Sequence, residues 1–214
     1  MNIRQDLIAK SKYSLKCPYS LTPKYIVIHN TSNDASAEAE VKYMKNNNSA
    51  TSFHFAVDDV SAVQGIPENR NAFHAGDGDN GKGNRYGIAI EICFSKSGGY
   101  RFHNAEDNAA KLTALLLKKY GLDISAVKKH QDFSGKYCPH RTLDMGWDRF
   151  IRKVEMYMEA FKDTQGHWAE KHIEKLKKAG IVNGHADGTF RPDEPITRAE
   201  VAVMVANTLT YLGK

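Results

Sequence analysis

The run Gly87-Ile-Ala-Ile-Glu91-Ile-Cys-Phe94 constrains this chain most. Its apolar, largely β-branched residues suit a strand buried on both faces, the kind that needs helices packed over it. A second run, Tyr25-Ile-Val-Ile28, has the same character and ends at His29. Helical patterns alternate with these strands. Asn33-Asp34 can cap a helix through Lys45, with Val41 and Met44 on one face and Asn46 to Asn48 ending it. Glu106 to Tyr120 repeats apolar residues at Ala109, Leu112 and Leu116 and stops at Gly121, and Trp147, Phe150, Ile151 and Val154 mark a closing helix. Ser52 to Asp58 alternates as a strand, with Phe53, Phe55 and Val57 on one face and His54 on the other, where it is expected to be exposed, the alternative being a place near the site. A short strand from Val127 leads to His130, and the residues up to about Ser20 read as a short helix and a covering arm. The pattern predicts an α/β domain with a central mixed β-sheet flanked by helices.

The chemistry-bearing residues sit at the edges of these elements. His29 stands where an apolar strand gives way to polar residues. His130-Gln-Asp-Phe-Ser-Gly-Lys136-Tyr-Cys138-Pro-His140 is broken by Gly135 and Pro139 and reads as a loop. A thiolate and neutral imidazoles are preferred zinc ligands, and three protein ligands with one open position is the arrangement of catalytic zinc. His29, His130 and Cys138 could supply those ligands, and Lys136 could steady a developing negative charge. Glu91 is a carboxylate inside an apolar strand. Burial without compensation is costly there and favours its protonated form, which makes it a functional candidate. Gly76-Asp-Gly-Asp-Asn-Gly81-Lys82-Gly83 nearly matches a phosphate-binding loop. Gly83 replaces the required hydroxyl, and Asp77 and Asp79 would repel phosphate, so nucleotide binding is not expected.

His29 after a strand, Glu91 in Ile-Ala-Ile-Glu-Ile, and His130 with Lys136-Tyr-Cys138-Pro together resemble the zinc N-acetylmuramoyl-L-alanine amidases, which include phage endolysins and peptidoglycan recognition proteins. The resemblance spans roughly residues 1–160. It implies Zn2+ on His29, His130 and Cys138, Glu91 as general acid–base, and Lys136 as oxyanion stabiliser. The implied substrate is peptidoglycan, cut between N-acetylmuramic acid and L-alanine. By the same resemblance His-Ala-Gly at 74–76 lines the substrate cleft, with His74 and Arg85 on its wall; Phe73 stands where family members often have Trp. Two rivals stay open: a non-catalytic peptidoglycan-recognition module, which would commonly lack a zinc ligand, and a cysteine peptidase using Cys138.

The chain has 214 residues, enough for one full domain and a small one. Its net charge of +5 lies wholly before Asp163, the rest being neutral. A basic catalytic part suits a polyanionic Gram-positive wall. The three cysteines, Cys17, Cys93 and Cys138, are odd in number and widely separated, which argues against a disulfide framework. Cys93 reads as a small core residue, and Cys17 carries no evident chemistry. Composition changes near Phe161. His167-Trp168 begins a helix ending at Gly180, and Thr197-Arg198-Ala-Glu200 opens another with a capping box. Val201, Met204, Val205 and Thr208 are expected to form its buried face. With Gly184-His-Ala-Asp187-Gly188-Thr-Phe190-Arg-Pro192, this helix-loop-helix resembles a single S-layer homology module. That implies anchoring to secondary cell wall polysaccharide, with Arg198 holding an acidic sugar. The expected division is a catalytic domain at 1–162 and a wall-binding module at 163–214. Met1 to Lys10 lacks an apolar secretory core and no stretch is long enough to span a membrane. Synthesis in a host cytoplasm and action on the wall after release are therefore expected, with no nucleic-acid partner and no membrane insertion.

Overall fold

The computed structural model describes residues 1–159, 161–185 and 187–213. It forms two compact units, 1–158 and 159–214. In the first, chain order runs β1 (Asn2–Gln5), α1 (Tyr13–Lys16), β2 (Tyr25–Asn30), α2 (Ala37–Asn46), β3 (Phe55–Val57), β4 (Ser61–Gln64), α3 (Lys82–Tyr86) and β5 (Gly87–Ile92). It continues through α4 (Gly99–Tyr120), β6 (Val127–Lys129), α5 (Gln131–Ser134), α6 (His140–Asp144) and α7 (Trp147–Glu159). The strands make one mixed sheet in the order β1-β4-β3-β5-β2-β6. Its pairings are parallel except β3 with β4.

β2 and β5 lie side by side inside the sheet, as their apolar character requires. Ile26, Val27, Ile28, Ile88, Ala89 and Ile90 are all fully buried. Their register pairs His29 with Glu91. Residues in register on adjacent parallel strands face the same side, so the imidazole and the carboxyl emerge together. α2 and α4 cover the sheet with Val41, Met44, Phe102, Ala109 and Leu112. α4 and α7 are also tied by charge. Glu106, fully enclosed on α4, accepts from Arg149 at 2.7 Å and Lys153 at 3.1 Å on α7.

Several boundaries differ from expectation. The N-terminal arm contains an exposed edge strand, β1, before its short helix. Its side chains carry no apolar alternation; backbone pairing with β4 places it, with polar links from Arg4 to Glu38 and Gln5 to Gln64. α2 is capped by Ser36, whose hydroxyl accepts from Ala39 N–H, while Asn33 turns to Ala35 and Glu40 and Asp34 to Ser97. α4 begins at Gly99, ahead of Glu106, in a polar first turn whose Arg101 reaches out to Asp59. The strand expected over 52–58 shortens to β3. His54, expected to be exposed, is fully buried. Its Nε2 donates to Arg70 O at 2.8 Å, and its Nδ1 accepts from Ala89 N–H at 3.0 Å.

The second unit holds α8 (Glu170–Lys178) and α9 (Arg198–Tyr211). Its small core is Phe161, Ile173, Ile181 and Val182, with Phe190 stacked on Phe161 at 5.2 Å between ring centroids. Asp163 accepts the backbone N–H groups of Phe190 and Arg191, fixing the long loop. The Thr197–Glu200 capping box is formed as expected. The expected buried face of α9 is not: no described residue of α9 is buried, and Val201 and Val205 are exposed. The apolar residues of α9 are spread around the helix, and so small a unit cannot cover them.

Removing Arg149 would leave the enclosed Glu106 with one cation in place of two. Arg149→Ala should therefore destabilise the first unit by about 1–3 kcal/mol. A lowered urea midpoint at unchanged slope would register this; an unchanged midpoint would show that the link between α4 and α7 contributes nothing.

Candidate active site

At the carboxyl end of β2, three side chains from distant parts of the chain converge. His29 comes from the strand, His130 from the residue after β6, and Cys138 from the turn before α6. His29 Nδ1 lies 3.1 Å from His130 Nδ1 and 3.9 Å from Cys138 Sγ. One donor atom from each of the three falls within 4.8 Å of the others, and all three residues are buried. The other side of His29 is also occupied: its Nε2 is 3.0 Å from His74 Nδ1. Glu91 brings Oε1 to 4.0 Å from His29 Nδ1, as the strand register dictates.

The loop carrying Cys138 is docked by a residue that sequence reading passed over. Asn30 follows His29 and is buried. Its Oδ1 accepts from Arg141 N–H at 2.9 Å and Thr142 N–H at 3.3 Å, satisfying two otherwise unpaired donors in the first turn of α6. Arg141 reinforces this by donating to the carbonyls of Ser95 and Lys96. The bond from Gln131 N–H to Cys138 O closes the loop, and Gly135 ends α5 in the left-handed region at φ 76°. A buried polar residue just past a central strand is the signal that could have found Asn30.

Electrostatics at the cluster follow from burial. Desolvation, with the neighbouring His74, His130 and Lys136, holds His29 well below the usual histidine range. Desolvation followed by Lys136 lowers His130. Both rings are therefore neutral and keep a lone pair. Burial, then Glu91, pushes the Cys138 thiol up to about 11. Burial, then Glu40, raises Glu91 to about 8 against the opposing pull of Lys136. Glu91 Oε2 is enclosed without a hydrogen-bond partner among the described residues. Two neutral imidazoles and a thiol whose anion lacks compensation match the borderline-soft donor set that zinc prefers, and a dication supplies the missing charge.

The remaining expected site residues are placed as follows. Lys136 is exposed in the turn before Cys138, and its charge acts on His29, His130, Cys138 and Glu91. His74, expected on the wall of the substrate cleft, is buried, with its Nδ1 3.0 Å from the His29 ring nitrogen that faces away from Cys138. Arg85 lies over the Tyr19 ring at 4.0 Å, with a buried Nε that has no partner among the described residues. The phosphate-loop look-alike is filled by its own carboxylate, since Asp77 accepts from Gly83 N–H at 2.7 Å and Asn84 N–H at 3.3 Å. Arg198 opens α9 in the second unit and is exposed.

Comparison with known proteins places these features in context. The sequence profile described as N-acetylmuramoyl-L-alanine amidase matches residues 19–141, and that of the S-layer homology domain matches 160–202. The N-acetylmuramoyl-L-alanine amidase CwlA of Bacillus subtilis (strain 168) is 45% identical over 217 residues, covering 99% of this chain and 80% of that protein. XlyB of the same organism, also described as an N-acetylmuramoyl-L-alanine amidase, is 54% identical over 154 residues, covering 72% of this chain and 49% of XlyB. The chain thus spans about half of XlyB. The solved structure of PlyL superposes with a TM-score of 0.70 at 56% identity, covering 72% of this chain and 97% of that one.

Asn30→Ala should free the start of α6 and cost about 1–3 kcal/mol, the range for leaving buried donors unpaired. Faster amide hydrogen exchange at Arg141 and Thr142 is the specific expectation. Unchanged exchange there would mean that Asn30 does not dock the loop.

Proposed function

The chain belongs to the N-acetylmuramoyl-L-alanine amidase family, and from that premise we propose a zinc-dependent peptidoglycan hydrolase. It cuts the amide between the lactyl group of N-acetylmuramic acid and L-alanine with water. The family is generally zinc-dependent. The observation that carries the reading is the convergence of His29, His130 and Cys138, with Glu91 beside them. These three residues are the proposed holders of the ion. Bound there, zinc would supply Lewis-acid polarisation and a water acidified toward a pKa of ~7.

Glu91 takes the proton of the attacking water and returns it to the leaving amine. Burial raises the Glu91 carboxyl in the metal-free site, which suits the acid half of that transfer, while Lys136 and a bound dication would favour the ionised form that the base half needs. Lys136, exposed beside the cluster, steadies the negative charge that develops on the carbonyl oxygen. Arg85 remains a proposal for the cleft wall, supported by its unpartnered Nε. A cysteine peptidase is disfavoured: the Cys138 thiol is raised and His29 is held neutral, whereas a nucleophilic cysteine needs a depressed pKa. Retention of all three ligand-type residues also speaks against a purely binding module.

The C-terminal unit is proposed as the anchor, with 1–162 catalytic and 163–214 wall-binding. Its match to the S-layer homology domain supports attachment at the cell wall. Secondary cell wall polysaccharide is the proposed ligand and Arg198 its contact, an exposed guanidinium suited to a charge-assisted hydrogen bond with an acidic sugar. No described helix is long and apolar enough to cross a membrane. Action on a Gram-positive wall after release from the cytoplasm is proposed.

Digestion of purified peptidoglycan tests the bond class: new L-alanine amino ends should appear without new reducing sugars, and the reverse would refute an amidase. Metal analysis should find one zinc per chain, lost in Cys138→Ala; undiminished zinc in that variant would remove Cys138 from the ligand set. Glu91→Ala should keep zinc and fold while losing about 10²–10⁴-fold in turnover, and Lys136→Ala roughly 10²–10³-fold. Near-normal rates would exclude either role. The segment 1–162 should cleave soluble muropeptide at nearly the full rate, while Arg198→Ala should weaken binding to intact walls alone. Equal wall binding by the truncated and whole chains would show that the tail is no anchor.

A further inference from the structure

We propose that the segment His74-Ala75-Gly76 is the outer support of the proposed metal site, orienting both histidine ligands so that their Nδ1 atoms face Cys138. The proposal rests on the metal-site reading and adds positioning residues that lie behind it.

The two rings are arranged alike. Their Nδ1 atoms approach each other at 3.1 Å, on the side where Cys138 Sγ lies. Each Nε2 faces His74-Ala75-Gly76. His29 Nε2 meets His74 Nδ1 at 3.0 Å. On His130, a Cβ added at Gly76 would come within 3.4 Å of Nε2, so the backbone of the segment packs behind that ring. A neutral imidazole carries one proton, so fixing it on Nε2 leaves the lone pair on Nδ1. His74 Nδ1 is placed to be the acceptor that does this behind His29, in the manner of the carbonyls and carboxylates that commonly back metal-bound histidines, while Gly76 leaves room behind His130.

His74 must then accept through Nδ1 and carry its own proton on Nε2. Its Nε2 is buried without a hydrogen-bond partner among the described residues, so the contact that fixes this ring is the one its Nδ1 makes with His29 Nε2 at 3.0 Å.

The segment is itself braced. Asn84 Oδ1 accepts from His74 N–H at 2.7 Å and Ala75 N–H at 2.8 Å. Asn84 Nδ2 donates to Gly78 O at 3.1 Å, and Asp77 holds the start of α3. Gly76 adopts φ +67°, and a side chain there would press on Ser134 as well as His130. The glycine-rich stretch that mimics a phosphate loop is thus accounted for as scaffolding behind two ligands.

The test compares His74→Phe, His74→Asn and His74→Gln in the full chain. Zinc affinity is measured by competition with a chromophoric chelator, and the ring N–H protons by ¹H–¹⁵N histidine NMR on zinc-loaded protein. Asn places an amide oxygen near the position of Nδ1; Gln carries its oxygen one bond farther. Phe should weaken zinc binding by about 10–100-fold, the usual loss on removing such a partner. Asn should recover most of that loss and Gln should not. In the zinc-loaded wild type the His29 Nε2–H should be a hydrogen-bonded, slowly exchanging proton, and in the Phe variant that protection should be lost at His29 alone. Wild-type affinity in the Phe variant would overturn the proposal, as would equal losses for Asn and Phe. If Phe prevents folding, the Asn–Gln pair decides: tighter zinc in Asn supports the role, and equal affinity refutes it. A wild-type chain that binds no zinc would instead refute the metal reading itself.

Discussion

Everything at the carboxyl end of β2 follows from the difficulty of burying imidazoles next to a thiol and a carboxyl. Polar atoms withdrawn from water need partners, and here most partners are other members of the cluster, with Glu91 Oε2 and His74 Nε2 left without one among the described residues. His29 touches His130, His74 and Cys138 and stands beside Glu91. The strand gives it no freedom to move, since its neighbours in β2 are fully buried on both sides. The loops therefore come to the strand. Asn30 docks the turn carrying Cys138, and Asn84 docks the segment carrying His74. Two side-chain amides, each accepting from two consecutive backbone N–H groups, hold the chemistry in place.

Much of this was legible in the sequence. β2 and β5 announce themselves through continuous apolar runs, and His29 and Glu91 stand out because each interrupts or ends one. What the sequence could not show is register. The pairing of His29 with Glu91 is a property of two strands 62 residues apart. Asn30 and Asn84 escaped notice for a similar reason. An asparagine in a sequence looks like a turn residue, and its value here lies in contacts formed after folding, in one case with a partner 111 residues away. His54 misled because strand alternation suggested an exposed position, while its ring is enclosed between Arg70 O and Ala89 N–H. β1 was invisible because an edge strand with solvent on its side chains has no hydrophobic period.

The two units illustrate opposite balances of burial. The first closes a sheet between helices and can then enclose charged groups such as Glu106, provided that cations meet them. The second has too few residues to cover its own apolar helix. Its order comes instead from local devices: the Thr197–Glu200 capping box, and Asp163 and Asp187 holding loop N–H groups. Hydrophobic pattern predicted a buried face on α9, and surface-to-volume limits overrode it.

X-ray absorption at the zinc edge on the intact chain tests the central claim most directly. The account predicts one sulfur at ~2.3 Å and two imidazole nitrogens at ~2.0–2.1 Å, with the remaining coordination from a light atom. The sulfur contribution should vanish in Cys138→Ser. A spectrum without sulfur in the wild type, or one fitted by four protein ligands with no exchangeable position, would contradict an open catalytic site built from His29, His130 and Cys138.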